Sequence, residues 1–183
     1  TVSIGSEESG SESNAKQILK YSGLTDEIIK TVNLDYSDAA EEFTAGKIDA
    51  LFITAGIKTT VIEELSKECD VRLLNFDDNC MDKLKAACPF YSEYIIPAYT
   101  YNGQTESVKT LGVKSVLLAS DSLSKNTVKQ ITSLLFDNSK QLQYATSVDL
   151  NLNIRNAAEG ITIPFHAGAA AYYSEHGIDV ITE

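Results

Sequence analysis

The stretch Val2-Ser3-Ile4-Gly5-Ser6-Glu7-Glu8-Ser9-Gly10-Ser11-Glu12-Ser13-Asn14-Ala15-Lys16-Gln17-Ile18-Leu19 decides the reading of this chain. Val2-Ser3-Ile4 has the composition of a short strand, and Ile18 and Leu19 share a helix face with Ala15, so the residues between them form a strand-to-helix turn. Such a turn offers free backbone N–H groups. Its glycines let a ligand approach the main chain, its serine hydroxyls can cap the helix or donate, and the positive end of the helix dipole points outward. This outlines a small-anion site. Helix capping alone would call for the same Ser, Gly and Glu residues, and Glu7 and Glu8 bring negative charge where an anion should sit. Both readings stay open on the loop by itself.

The same rhythm continues outward. Gly23 ends the first helix, Val32-Asn33-Leu34 reads as a strand, and Ser37 is expected to cap a helix from Asp38 to about Ala45, closed by Gly46. Ile48-Asp49-Ala50-Leu51-Phe52-Ile53-Thr54 is nearly continuously apolar, the pattern of a strand covered on both faces. Thr59 or Thr60 can cap a helix containing Val61, Ile62 and Leu65. Val71 to Phe76 reads as a further strand, and Asp77 or Asp78 as the cap of a helix running to about Ala87. This strand–helix alternation implies an α/β fold with a parallel sheet and right-handed crossovers.

After Pro89 the pattern changes. Tyr91 to Tyr101 is extended and aromatic, and Val108 to Ala119 reads as one long strand or two short ones. A helix follows from about Ser124 to Phe136, then a polar region from Asn138 to Asn156 that is helical hairpin or loop. A short helix after Pro164 covers His166 to Glu175.

Composition removes several classes of function. The 183 residues are 43% hydrophobic, enough for a core, and carry a formal charge of −11 with no basic run, which argues against a nucleic-acid or anionic-membrane surface. No segment approaches transmembrane length. Cys69, Cys80 and Cys88 form no C-x-x-C pair, so buried free thiols are expected and a single bridge at most. His166 and His176 lie ten positions apart with no Asp or Cys cluster, so neither a metal nor any other cofactor is expected.

Open α/β sheets bind ligands at the carboxyl ends of their strands. Two turns qualify here: Gly5 to Ser11, and Thr54-Ala55-Gly56-Ile57-Lys58-Thr59-Thr60. In the second, Gly56 permits close approach, Thr59 offers a hydroxyl and Lys58 a cation, although an ordinary turn glycine and a solvated lysine would look the same. Together the two turns can form one wall of an anion pocket.

The residues resemble the substrate-binding proteins of TRAP transporters of the TAXI type, in their second half. Val2-Ser3-Ile4-Gly5 with Ser9-Gly10-Ser11, Ala15, Leu19 and Gly23-Leu24 is similar to that family's strand, S-G-T turn and helix. Ala39-Ala40, Gly46-Lys47-Ile48-Asp49-Ala50-Leu51-Phe52, Ala55-Gly56 and Thr59 resemble its second block. Ile96-Pro97, Tyr101-Asn102-Gly103-Gln104, and Ile163-Pro164-Phe165-His166-Ala167-Gly168-Ala169 with Tyr172-Tyr173 and Glu175 resemble its last two. Glu8 stands where a Gly is usual, Ser11 where a Thr is usual, and Lys58 and Ala167 where Pro is usual.

The resemblance implies one lobe of a type II periplasmic-binding-protein-like fold. Residues 1–120 would be the ligand-binding second lobe of a two-lobed receptor, and residues 121–183 a helical C-terminal return segment packing on it. It implies an extracytoplasmic, non-enzymatic protein that captures a small carboxylate or amino acid such as glutamate and delivers it to TRAP membrane subunits. The implied ligand-binding residues are Ser9, Gly10, Ser11, Ala55, Gly56, Thr59 and Tyr101. His166 becomes a helix-start or inter-lobe hydrogen-bonding residue. Apolar residues around His166 to Glu175 are expected either to stand exposed or to pair with a second copy in a homodimer. The alternatives are a co-inducer-binding domain of a LysR-like transcription regulator, which lacks its helix-turn-helix here, and an enzyme of similar fold. The enzyme would draw on Ser6 or Ser9 with His166 and Asp49, but no G-x-S-x-G elbow accompanies them.

Overall fold

A computed structural model describes residues 1–25, 27–146 and 150–182. The chain divides into two compact units, Thr1–Cys88 with Glu93–Leu111, and Pro89–Ser92 with Gly112–Glu183. The first unit is the α/β part. Its strands β1 (Val2–Ser3), β2 (Thr31–Val32) and β3 (Ala50–Leu51) form a sheet in the order β2-β1-β3, all parallel, with Val2 opposite both Thr31 and Ala50. The expected parallel α/β sheet is therefore present, with strands shorter than their apolar runs. Pairing extends past the ladder through Ile4 N–H to the Val32 carbonyl (3.0 Å) and Phe52 N–H to the Ser3 carbonyl (2.8 Å).

Helices α1 (Gly10–Tyr21) and α2 (Tyr36–Thr44) make the crossovers, and their right-handed sense puts them on opposite faces of the sheet. Side chains alternate along β1, so Val2 and Ile4 meet Ala15 and Leu19 of α1, with Ile29 and Phe52 completing that small core. Gly23, at φ +73°, closes α1 as expected: Leu24 N–H reaches back to the Leu19 carbonyl and Gly23 N–H to that of Lys20, the paired bonds of a Schellman end. Helix α2 has its cap two residues before the expected one. Asp35 holds an extended conformation and accepts from Asp38 N–H at 2.9 Å, which leaves Ser37 inside the first turn.

Helices α3 (Thr60–Glu68) and α4 (Asp78–Ala87) follow, the second capped by Asp77. Helix α4 lies against α1, where the Cys80 thiol is 3.2 Å from the Ser22 hydroxyl and the Cys88 thiol donates to Gln17 Oε1 at 3.0 Å. All three cysteines are free. The strand expected at Val71 to Phe76 is absent from any ladder. Phe76 N–H does bond the Lys109 carbonyl, but Lys109 N–H turns to the Asn75 side chain instead of a backbone carbonyl, so regular pairing stops. Strands β4 (Ser92–Ile96) and β5 (Val108–Gly112) form a separate two-stranded sheet. The strand character expected through Ala119 ends at Gly112, and Val116, Leu117 and Leu118 stand exposed without a strand partner among the described residues.

The second unit is helical. It contains α5 (Lys125–Asp137), α6 (Ser139–Tyr144), α7 (Ile154–Ala157) and α8 (Ala167–Glu175). Residues 147–149 of the polar region read as hairpin or loop lie outside the described residues. Ser124 caps α5 by accepting from Thr127 N–H. His166 is the cap of α8, as expected for a helix-start residue: its Nδ1 accepts from Gly168 N–H at 3.0 Å, and its Nε2, carrying the proton, faces the Leu123 carbonyl at 3.2 Å. Phe136 of α5 stacks on Tyr172 of α8 at a ring separation of 5.8 Å and meets Tyr173 edge-on at 6.0 Å.

Two stability predictions follow from contacts that admit no adjustment. A Cβ on Gly168 would overlap the Lys125 carbonyl and lie 2.8 Å from Lys129 N, so α8 sits on α5 through backbone. Replacing glycine in a helix ordinarily gains about 0.5–1 kcal/mol. Overpacking against main chain costs about 1–3 kcal/mol and wins, so Gly168→Ala is expected to lower the melting temperature in calorimetry. The Ser3 hydroxyl is buried with no hydrogen-bond partner among the described residues. A buried orphan hydroxyl costs about 1–3 kcal/mol, so Ser3→Ala is expected to be neutral or stabilising in urea denaturation, and a clear loss of stability would show that the hydroxyl has a partner.

Candidate functional site

Gly5 sets the geometry of the first turn. At φ +93° it leaves β1 in a conformation that side chains resist, and a Cβ there would lie 2.7 Å from Ser11 Cβ. The chain then folds tightly onto the start of α1. Ser9 is the cap, its Oγ accepting from Glu12 N–H at 3.1 Å. Ser9 N–H and Ser13 N–H are also bonded within the turn, which leaves the amides of Gly10 and Ser11 without an acceptor among the described residues. Ser9 accepts through its oxygen, so its own hydroxyl proton remains available.

Glu12 partly fulfils the capping alternative. Its Oε2 accepts from Glu8 N–H at 2.7 Å, while Oε1 takes Asn33 Nδ2 at 3.0 Å and Lys16 Nζ at 2.8 Å. The Lys16 bond first, then those from Asn33 and Glu8, hold the Glu12 carboxyl below the usual glutamate range. One amide of the turn is thus already occupied by an internal carboxylate. Because the folded-state pKa is depressed, the stabilising contribution of Glu12 is complete above the ordinary carboxylate range and is lost as pH falls through the lowered value. The Glu8 amide proton shift in NMR is expected to titrate below the pH typical of a free glutamate, and Glu12→Gln to abolish that titration.

The second turn leaves β3 beside the first. Ala55 and Gly56 are exposed and bring no hydrogen-bonding side chain. Lys58 sits at φ +64°, and its N–H donates at 3.0 Å to the hydroxyl of buried Tyr101. Burial pushes the Tyr101 hydroxyl above its usual range and keeps it neutral. Tyr101 thereby anchors the turn at the residue before the N-cap without capping the helix, and Thr59, the N-cap of α3, makes no cap bond through its side chain. Its hydroxyl, and the amides of Thr60 and Val61 behind it, have no acceptor among the described residues. Asn102 and Gln104, beside Tyr101, brace the loop by bonds to the carbonyls of Ser66, Pro97 and Glu106.

Of the residues singled out in the sequence, Ser9, Gly10, Ser11 and Thr59 thus belong to two helix starts at the carboxyl ends of adjacent strands. Tyr101 supports the second start from behind. What joins the two turns is a residue the sequence reading passed over. The Tyr36 hydroxyl lies 2.6 Å from Ser11 Oγ, donates to the Thr54 carbonyl at 3.0 Å and accepts from Thr54 N–H at 3.0 Å. Asn14 Nδ2 also reaches Thr54 Oγ1 at 3.2 Å, and Asn33 Nδ2 bonds the Gly5 carbonyl at 2.9 Å. Asn33 and Tyr36 flank the carboxyl end of β2, so the rule that selected the other two turns would have selected this one.

A family model for the NMT1-like family matches residues 1–177, nearly the whole sequence. The chain belongs to the NMT1-like family. This is a periplasmic-binding-protein-like family of substrate-binding rather than catalytic domains, in keeping with the mixed α/β architecture and the parallel sheet. Among the described residues, no helix of this NMT1-like chain is long and apolar enough to cross a membrane.

Proposed function

We propose that the chain is the ligand-binding part of an extracytoplasmic solute receptor of the TAXI type, serving a TRAP secondary transporter. Its ligand in this reading is a small carboxylate or an amino acid such as glutamate. In this reading residues 1–120 carry the site, residues 121–183 form the return segment, and the captured ligand is delivered to TRAP membrane subunits. The observation that carries the reading is the pair of open helix starts, α1 after β1 and α3 after β3. Amides of Gly10, Ser11, Thr60 and Val61 and the hydroxyls of Ser9 and Thr59 offer donors there, as recognition of a carboxylate requires.

Thermal shift and calorimetry with succinate and L-glutamate, against their uncharged amides, test the proposal. At least one acid is expected to raise the melting temperature and the amides to leave it unchanged, because a ligand that binds only the folded state stabilises it. Thr59→Val removes a hydroxyl that caps nothing, so it is expected to weaken acid binding by about 1 kcal/mol with no change in the melting temperature of the free protein. A folded protein indifferent to both acids would overturn the reading.

A further inference from the structure

We infer that Tyr36 is a positioning residue that locks the Gly5–Glu12 turn and the Thr54–Thr60 turn into one rigid wall, and that it takes the Ser11 hydroxyl out of anion recognition. A phenol has one proton to give and two lone pairs to receive with. Thr54 N–H donates to the Tyr36 oxygen, and the Thr54 carbonyl at 3.0 Å can only be a partner if the tyrosine proton points to it. The 2.6 Å contact with Ser11 must then be a donation from Ser11 to Tyr36. That assignment uses all three hydrogen-bonding positions of the tyrosine.

Two consequences follow. The proton of Ser11, a buried residue, is spent inside the protein, so toward the site its hydroxyl presents only lone pairs, which repel a carboxylate and suit an N–H donor of a ligand. Donation to an anion falls instead to the main chain and to the Ser9 and Thr59 hydroxyls. The second consequence is mechanical. Ser11 is 25 residues from Tyr36, and Tyr36 is 18 from Thr54, so one hydroxyl ties the ends of three segments that are distant in sequence. Asn14 to Thr54 is a parallel, more exposed tie. The consequence for ligand choice rests on the binding reading above; the lock itself does not.

The test needs no ligand. Tyr36→Phe keeps the ring and removes only the hydroxyl, and amide hydrogen exchange is followed by NMR in the free protein. The lock predicts faster exchange, by about fivefold or more, at Thr54 and also at Glu12 across the gap. Acceleration at Thr54 alone, or at neither amide, overturns it. If Tyr36→Phe does not fold, Ser11→Ala cuts the same tie from the other side: faster exchange at Thr54 supports the lock, and unchanged exchange overturns it. Coupled acceleration in Tyr36→Phe, together with wild-type protein that ignores succinate and L-glutamate, would remove the binding reading and leave the lock standing.

Discussion

Everything in the first unit depends on β1 being the middle strand of a parallel trio. Two strands of the same polarity cannot be joined by a tight turn, so each connection must be a helix, and with β1 in the middle the first two helices leave toward opposite faces. The carboxyl ends of all three strands are then gathered at one edge. Gly5, Asn33 and Thr54 stand there, and so do the starts of α1, α2 and α3. Helix starts carry partial positive charge and unbonded amides, so the topology alone concentrates hydrogen-bond donors at that edge before any side chain is chosen.

Short-range signals were the legible ones. Asp77, one of the two caps expected for its helix, and Ser9 and Ser124, at helix starts the sequence placed, cap the helices they precede because the capping bond spans only three residues. Where two cap-forming residues lie close together, as Asp35 and Ser37 do, the extended backbone at Asp35 decides, and sequence does not display that angle. Apolar runs were a weaker guide. Val71 to Phe76 and Val113 to Ala119 have strand composition, but a strand needs a partner with free carbonyls and amides in register, and that is a property of the assembled sheet. The candidate site divides in the same way. Its turns were visible as Gly and Ser between a strand and a helix, whereas the Tyr36 network was not, since its partners lie 18 and 25 positions away. Tyr101 was reached only through the resemblance, and its bond to Lys58 spans 43 positions.

A net charge of −11 does not oppose an anion site at this edge. At physiological salt exposed charges are screened over about 8 Å, so a bound carboxylate responds to its immediate neighbours and not to the total. Of the carboxylates in the turn, Glu12 is held by Lys16, Asn33 and the Glu8 amide, which distribute its charge over three donors. Glu12 also shows what the turn accepts: a carboxylate oxygen on a loop amide at 2.7 Å, supplied by the protein itself.

The two helix starts are built differently, and under the proposed binding reading the difference bears on which one would meet a ligand first. Helix α1 keeps its own cap, with Ser9 bonded to Glu12 N–H. Helix α3 begins at a threonine that makes no cap bond, although a threonine cap typically contributes about 1 kcal/mol. The chain forgoes that bond and secures the turn from outside, by the buried Tyr101 hydroxyl accepting from Lys58 N–H, with Lys58 held in a left-handed conformation. Local rules are broken in this way chiefly where function requires it. The arrangement leaves Thr59 Oγ and the first amides of α3 unoccupied on a turn fixed from behind, so the second turn is the better preorganised half of the wall.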